Sequence, residues 1–430
     1  MSKKLFLILT ILILGLVLVA CGTISGEEQQ TPGGNESDIG GKDLESDDIK
    51  DITYDLEKLD AKLVNGSQRF AFDIFQKLSE EDSEESIFIS PLSISQALTM
   101  TYNGAEGRTR EEMENALGFS GISRDVVNES YMNLNNYLAR IDDKIMLNIG
   151  NSIWIREGED VNEEFIKTNE VTFSAEVETI DFSDSTAADT INSWISGATN
   201  GMIDKMISPP IPRDVLMYLI NAIYFKGEWS EQFDPKLTYE DNFTTIDGTV
   251  QKANMMVRPN SSVEYTGNDE YKAVRLPYGN GKTSMYIILP EEGSEINEFI
   301  SEMTLSKWSG IKKTVSETED IVFRIPKFKL EYGIKELNDS LKALGMEEAF
   351  ASADLSGIRD DIFISSVIHK AVIEVNEEGS EAAAVTVVET KCTALAEPLT
   401  FIVNRPFMFI INDDVTDTIL FMGKVVSIKE

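Results

Sequence analysis

Between positions 380 and 392, every charged side chain occupies an odd position. The charges are Glu381, Glu389 and Lys391. The even positions from 380 to 390 are Ser, Ala, Ala, Thr, Val and Thr. Because successive side chains of a β-strand point to opposite faces, this segment as a strand has one uncharged face and one charged face. The pattern therefore predicts a strand whose even face can be buried in a sheet.

Small residues at the start of this segment indicate a strand that joins a preformed sheet. Gly379 has wide backbone freedom, and Ser380, Ala382 and Ala384 put small side chains on the even face. The alternative is an ordinary strand of the native sheet. That alternative is less favoured, because Ala and Gly are poor strand formers.

The composition leaves few groups for chemistry. Hydrophobic residues make up 42% and charged residues 26% of the 430 positions, which is normal for a folded protein with a substantial core. The net charge of -36 argues against nucleic acid as a partner, because phosphates are bound by clustered Lys and Arg. Two cysteines, Cys21 and Cys392, make no disulfide framework, and the single histidine, His369, makes no His-rich metal site. No metal or other cofactor is predicted.

The N-terminus is typical of a secretion signal. Lys3 and Lys4 precede an apolar run from Leu5 to Ala20, which is the order of regions in a signal peptide. The run ends in Leu-Val-Ala-Cys-Gly, which resembles a bacterial-type lipoprotein cleavage box. We expect residues 1–20 to be removed and Cys21 to carry a lipid. The alternative is an uncleaved anchor helix, and both place the remaining chain outside the cytoplasmic membrane, on an extracellular or periplasmic face.

Residues 21–60 differ in composition from the rest of the chain. They are rich in Gly, Ser, Asp and Glu and poor in large apolar residues, so they cannot bury enough surface to offset their ordering entropy. We predict a flexible acidic tether here. Residues 61–430 show regular apolar patterns without an internal repeat or a linker, which predicts a single α+β domain.

Apolar spacing within this domain predicts individual helices and strands. One helix is predicted through Phe70, Ile74 and Leu78, and another ends at Gly345. Apolar runs predict strands at residues 285–289, 321–325, 407–411 and 419–426.

Short motifs in this domain resemble the serpin family and occur in the family's order. The segment that resembles the hinge of inhibitory serpins consists of Glu377, Glu378, Gly379, Ser380, Glu381, Ala382, Ala383 and Ala384. The other similar motifs are Ser90–Ile94, Asn221–Trp229, Leu276–Tyr278, Ile325–Phe328 and Asn404–Phe407. The resemblance covers nearly all of residues 61–430, and so many ordered matches are more specific than one short motif.

This resemblance implies a serpin fold and an inhibitor rather than an enzyme. The implied fold has a large mixed central β-sheet with further sheets, a bundle of about eight to nine helices, and an exposed reactive-centre loop at about residues 377–397. In the family, a target serine (or cysteine) endopeptidase cleaves the loop, becomes acylated, and is dragged along as the loop inserts into the sheet. The hinge has no bulky or charged inward residue, which favours an inhibitor over a non-inhibitory serpin that acts as a surface binding or structural protein. A monomer is expected.

The resemblance also implies a reactive bond. The family's usual hinge length, counted from Glu377, places the bond at Thr393–Ala394, which implies a subtilisin-like or elastase-like target with a small-residue pocket. In a shorter register Lys391 becomes the specificity residue and the target is trypsin-like. Cys392 lies between these two choices.

Four polar residues are similar to the family's shutter, the place where the sheet opens: Ser90, Ser93, Asn221 and His369. We predict that they form a hydrogen-bond cluster that resists opening, with His369 as a satisfied buried group rather than a catalytic base. Trp194 matches the family's breach, where insertion begins, although plain core packing is an alternative. Residues 123–144 contain no basic cluster, so no heparin-like polyanion is expected as a cofactor.

Overall fold

The structure, a computed structural model, describes residues 53–379 and 399–429. The predicted hinge is therefore described only as far as Gly379. Predictions for residues 1–20, for the lipid on Cys21, for Ser380 to Ala384 and for Lys391 to Ala394 lie outside the described residues.

Helices and strands are mixed along the described chain, and the predicted α+β class is confirmed. The α-helices of the described residues are α1 (Ala61–Glu81), α2 (Pro91–Tyr102), α3 (Gly107–Leu117), α4 (Arg124–Leu138), α5 (Glu163–Phe173), α6 (Ala187–Ala198), α7 (Ile296–Ser301), α8 (Leu305–Thr314) and α9 (Asn338–Ala343). None of these helices is both long enough and apolar enough to cross a membrane.

The strands of the same residues form three sheets. They are β1 (Ile87–Ile89), β2 (Ile145–Arg156), β3 (Glu176–Ile180), β4 (Met217–Gly227), β5 (Tyr239–Thr244), β6 (Val250–Gly267), β7 (Tyr271–Tyr278), β8 (Thr283–Pro290), β9 (Ser316–Pro326), β10 (Phe328–Glu336), β11 (Ile368–Val375), β12 (Thr400–Ile402), β13 (Phe407–Asp413) and β14 (Thr418–Val425). The largest sheet has nine strands in the order β1-β14-β13-β8-β7-β6-β9-β12, with β5 also paired to β6. The other two sheets are β3-β2-β4 and β10-β11.

The individual helix and strand predictions are confirmed. α1 buries Phe70, Ile74 and Leu78, and it begins after Asp60, whose carboxylate accepts hydrogen bonds from backbone N–H groups of the first turn. α9 is followed by Gly345 in the left-handed region, at φ 98°. The predicted strands at residues 407–411 and 419–426 are β13 and β14, which pair as a hairpin, and every residue of both strands is buried.

The two smaller sheets lie edge to edge across a gap, with β4 on one side and β11 on the other. β2 pairs with β3 in parallel and with β4 in antiparallel orientation, so this sheet is mixed. β4 and β11 both end near Gly379, where Glu228 and Gly379 form an isolated bridge, so the two strands run in the same direction. Among the described residues, no strand pairs with the edge of β4 opposite β2 or with the edge of β11 opposite β10.

Helix α2 lies behind this gap. It begins at Pro91, whose fixed φ suits the first helical position, and the hydroxyl of Ser90 accepts a hydrogen bond from the Ser93 N–H at 3.1 Å. Ser93, Ile94 and Ala97 line the floor of the gap. The start of the helix is therefore fixed next to the place where the sheet is divided.

The end of the predicted tether requires a correction. Residues 53–60 are not free of the domain, because they include a short 3-10 helix and lie along α4. The ring of Tyr54 meets Tyr137 edge to face at 5.4 Å, and Asp55 N–H donates to the Asn133 side chain at 2.7 Å. Composition did not predict this contact, because it depends on partners more than 70 positions away.

Candidate functional site

A groove of about 560 Å³ runs between β4 and β11. Residues 214–221 form one wall, residues 361–369 form the other, and α2 forms the floor. Each wall follows a turn, at Asp214 on one side and at Asp361 on the other, and leads into β4 or β11. Each of these strands has an edge that lacks a strand partner within the described residues. Because unpaired backbone groups favour a further strand, the groove is shaped to take one.

The direction and length of such a strand follow from its walls. A chain that leaves Gly379 and turns back into the groove would run antiparallel to both β4 and β11. The walls extend from the far end of the groove to the hinge end over residues 214–227 on one side, 14 positions, and over residues 361–375 on the other, 15 positions. At about 3.3 Å per residue, a strand that fills this length spans about 45–50 Å.

At the hinge end, the described part of the hinge is bonded to the segment that follows β4. Trp229 N–H donates to the Glu378 carbonyl at 2.9 Å, and Phe233 N–H donates to the Glu377 carbonyl at 2.8 Å. The Trp229 indole N–H donates to the Asn376 carbonyl at 3.0 Å. These bonds hold the two sides of the gap together at this end, so a strand that enters from here must first separate them.

Gly379 makes the approach of the two chains feasible. Its φ is +131°, a conformation that other residues rarely adopt. A Cβ at this position would lie 2.7 Å from the Cα of Glu228. The glycine that the sequence marked as a hinge is therefore also required by close backbone packing in the described state.

The Glu377 carboxylate is the centre of an ionic clamp, which we define as Glu377, Lys327 and Thr238. Lys327 Nζ lies 2.9 Å from one carboxylate oxygen, and the Thr238 hydroxyl donates to the other at 2.7 Å. Burial by itself would raise the pKa of Glu377, but the bonds from Lys327 and Thr238 outweigh it and hold this pKa below its usual range. The clamp therefore stabilises the described position of the hinge above about pH 4.5, and this contribution is lost as the pH falls through the lowered value.

Reversing the charge at position 377 tests the clamp. Glu377→Lys is expected to lower the free energy of unfolding by about 3 kcal/mol, because it opposes two ammonium groups in a largely buried site. Adding Lys327→Glu should recover part of the loss. Glu80→Lys is the control, because the Lys77–Glu80 pair is exposed and should cost less than about 1 kcal/mol. Thermal unfolding measures all four proteins, and equal losses for Glu377→Lys and the control would contradict the clamp.

The four predicted shutter residues come together at the middle of the gap. Ser90 N–H donates to His369 Nε2 at 3.2 Å, and the Ser93 hydroxyl donates to the Asn221 side chain. Asn221 in turn donates to Asn151 of β2 at 2.7 Å. The cluster therefore joins α2 to β11 through His369 and α2 to β4 through Asn221, one contact on each side of the gap.

Burial lowers the pKa of His369 to about 4. Its Nε2 already accepts the Ser90 N–H, so the neutral ring carries its proton on Nδ1. A second proton, on Nε2, would point one N–H donor at another, the Ser90 N–H, in a buried place. The Ser90 hydroxyl donates to the Leu420 carbonyl at 2.8 Å rather than to this ring.

The single histidine gives the stability a defined pH dependence. Its pKa is about 4 in the folded state and 6.5 in the unfolded chain, so the unfolded state binds the proton first as the pH falls. The free energy of unfolding should therefore fall between pH 6.5 and 4, by up to about 3 kcal/mol. The free energies of unfolding of His369→Gln and of the parent are compared from pH 7 to 5, before carboxylates titrate. In this range the variant should lose the fall in stability that the parent shows. An unchanged slope in the variant would contradict the assignment.

The structure places Trp194 away from the hinge, and the prediction of this residue as the breach is corrected. Trp194 lies on α6, where its indole N–H donates to the Glu176 side chain at 3.0 Å and its ring packs on Trp154. The tryptophan at the hinge end is Trp229, which is buried and stacked on Tyr278 with centroids 4.4 Å apart. The sequence signal that could have identified Trp229 is its position, since it comes directly after the strand that resembles the family's central strand.

Lys327 and Thr238 are the other hinge-end residues that the sequence did not single out. Lys327 belongs to a motif that resembles the family, yet its partner Glu377 lies 50 positions away. No residue pattern within either segment predicts that pair. Among the described residues, no group of His, Cys, Asp and Glu side chains could hold a metal ion.

Comparison with known proteins identifies the family. The model described as "Serpin (serine protease inhibitor)" matches residues 65–428. A protein of Methanosarcina acetivorans named as an uncharacterized serpin-like protein is 33% identical over 427 residues, which cover 96% of this chain and 96% of that protein. The leukocyte elastase inhibitor of Bos taurus is 32% identical and matches over 86% of this chain and 100% of its own length.

A solved structure extends the likeness to three dimensions. The crystal structure of the thermophilic serpin tengpin in its native state superposes with a TM-score of 0.76 at 35% identity, over 86% of this chain and 95% of that one. The family match covers most of the chain, including the groove walls and the residues that bond the hinge. The chain therefore belongs to the serpin family and has the serpin fold.

Proposed function

We propose that this chain inhibits serine proteases as a suicide substrate, through insertion of its loop into the groove between β4 and β11. The observation that carries the proposal is the pair of strand edges, of β4 and β11, on either side of the groove. Both strands lead from the groove to the hinge end, where Gly379 lies. The uncharged even face of residues 380–390 supports it, because an inserted strand would direct one face to α2 and the core. The leukocyte elastase inhibitor among its relatives carries an inhibitor's name.

The protease supplies the nucleophile for cleavage of the reactive bond. Its nucleophilic serine attacks the carbonyl carbon of the residue before the reactive bond, the peptide bond breaks, and the new amino group leaves with a proton. The inhibitor then holds an ester to the protease at the new carboxyl end. Insertion moves this end by up to the length of the groove and carries the acylated enzyme with it, so that deacylation fails.

We infer that the reactive bond is Thr393–Ala394. A strand that starts at Ser380 and ends at Thr393 has 14 residues, which matches the 14 and 15 positions of the two walls. A cut after Lys391 would give a strand that falls two residues short of the far end. The groove length therefore supports a subtilisin-like or elastase-like target over a trypsin-like one.

We also infer that a lipid on Cys21 holds the inhibitor at the outer side of a membrane, as the Leu-Val-Ala-Cys-Gly sequence suggests. The target would then be a protease that reaches that surface. Mass spectrometry of the mature protein tests this, with an acylated Cys21 expected at the N-terminus. A protein that still begins at Met1 would contradict it.

Incubation with subtilisin, elastase and trypsin tests the inhibitory function. A covalent complex that survives boiling in detergent is expected with at least one of these enzymes, together with a released C-terminal fragment. The mass of the fragment identifies the bond, and a fragment that begins at Ala394 is expected. Clean cleavage by every enzyme, without a complex, would overturn the proposal and favour a non-inhibitory serpin with a binding or structural role.

A further inference from the structure

The far end of the groove is closed by a segment that we call the strap, residues 354–364, which leads into β11. The Asp354 carbonyl accepts a hydrogen bond from Glu106 N–H at 2.8 Å, and Gly357 N–H donates to the Gly104 carbonyl at 3.0 Å. Ile358 is 1% exposed and fills the space over Gly104, where any side chain would collide with it. The strap is thus seated on the corner between α2 and α3.

The strap also reaches across to the other side of the gap. The turn after β2, residues 157–162, belongs to the half of the divided sheet that contains β4. Asn162 N–H donates to the Ile358 carbonyl at 2.9 Å, and Arg359 forms an ion pair with Glu159. We call the contacts of Ile358 and Arg359 with this turn the latch.

The charges around the latch indicate what loss of Arg359 should do to the strap and the turn. Arg359 is followed by Asp360 and Asp361 in the strap, and the facing turn contains Glu159 and Asp160. Arg359 is therefore a cation between two acidic segments that otherwise repel each other. Loss or reversal of this charge should push the strap and the turn apart.

A strand that fills the groove fixes the distance between its two walls. Neighbouring strands lie about 4.8 Å apart, so β4 and β11 must stand about 9.6 Å apart along the whole inserted length. At the hinge end this spacing requires the backbone hydrogen bonds that the Glu377 and Glu378 carbonyls accept to break. At the far end, residues 361–364 belong both to the strap and to the wall, so the spacing of the walls there is coupled to the latch.

From these contacts we propose that the Arg359–Glu159 latch restrains the far end of the groove and slows the insertion of a complete strand. The proposal rests on the proposed loop insertion and adds a second point of control, far from the hinge clamp. The two side chains of the pair are 36% and 28% exposed, and partly exposed ion pairs have modest strength. The expected effect of breaking the latch is therefore about a two- to fivefold faster insertion.

A synthetic peptide measures this rate without any protease. A fluorescent peptide with the sequence of residues 380–393 is incubated with the intact protein, and its uptake is followed by comigration in a native gel. Arg359→Glu and Glu159→Arg should each accelerate uptake about two- to fivefold. The double variant should return to the parental rate, because the swapped charges attract again.

The matched control is a pair within one half of the divided sheet. Lys370 of β11 and Glu331 of β10 lie 2.9 Å apart and do not span the gap. Glu331 lies on β10, outside both groove walls, so Glu331→Lys should leave the uptake rate unchanged. Arg359→Gln provides a milder variant if Arg359→Glu folds poorly, and it should also accelerate uptake. Equal rates in the parent and the latch variants, or a double variant as fast as the single ones, would overturn the latch.

The same experiment separates failure of the latch from failure of the proposed function. If the parent takes up no peptide at all, the groove does not accept a strand and the insertion proposal fails. If the parent takes up the peptide but the latch variants match it, insertion stands and only the latch is wrong.

Discussion

Cleavage of the loop between Thr393 and Ala394 is expected to raise the melting temperature by at least about 10 °C. The cut frees residues 380–393 to enter the groove, where they can pair with the facing edges of β4 and β11 and bury their uncharged face. A net gain of about 8 kcal/mol is enough for such a shift in a domain of about 370 residues. Calorimetry before and after a nick measures it.

The nick is best made by thermolysin, because a metalloprotease forms no acyl intermediate and leaves no enzyme attached. Mass spectrometry confirms that only the loop is cut. A protein nicked within residues 53–60 serves as the control, since that cut releases no strand for the groove and should not raise the melting temperature. An unchanged or lower melting temperature after a loop cut would mean that the groove stays empty, and the inhibitory mechanism would fail with it.

Ser380→Arg is expected to reduce the yield of covalent complex by at least about tenfold while leaving cleavage intact. Position 380 is on the even face, so insertion would bury an unpaired guanidinium, which costs several kcal/mol. The protease then completes hydrolysis before the strand can enter, and the inhibitor becomes a substrate. Gel densitometry of complex against cleaved inhibitor gives the ratio.

Glu381→Arg is the matched control for this substitution. It introduces the same side chain one position away, on the odd face that already carries charge, and should retain most of the trapping. Similar losses for both variants would mean that the alternation of residues 380–392 does not define an inward face. Complexes at full yield with Ser380→Arg would contradict insertion from the hinge.

The strand and helix predictions came from periodicity, and they are confirmed where the structure describes them. Phe70, Ile74 and Leu78 repeat at helical spacing because one face of α1 packs on the core, and Gly345 follows α9 because its φ is positive. Such signals are local, since each depends on residues within one or two turns. The same holds for the β13–β14 hairpin, where the turn is short.

The tether boundary and the breach show where local signals end. Residues 53–60 have the composition of an unstructured segment, yet contacts with Tyr137 and Asn133 on α4 hold them. Trp194 and Trp229 both lie in segments that resemble the family, and the bonds between Trp229 and the hinge show which of them lies at the hinge end. In each case the deciding partner lies far away in sequence.

By itself, the sequence determined the alternation of residues 380–392, the glycine at the hinge, the family resemblance and the small number of histidines and cysteines, which are one and two. These follow from side-chain chemistry and from spacing along one segment. Only the tertiary structure decided that the sheet is divided between β4 and β11, that Glu377 is held by Lys327, and that the strap closes the far end. The physical reason is that each of these features is a contact between distant segments, whose geometry depends on how the whole chain packs.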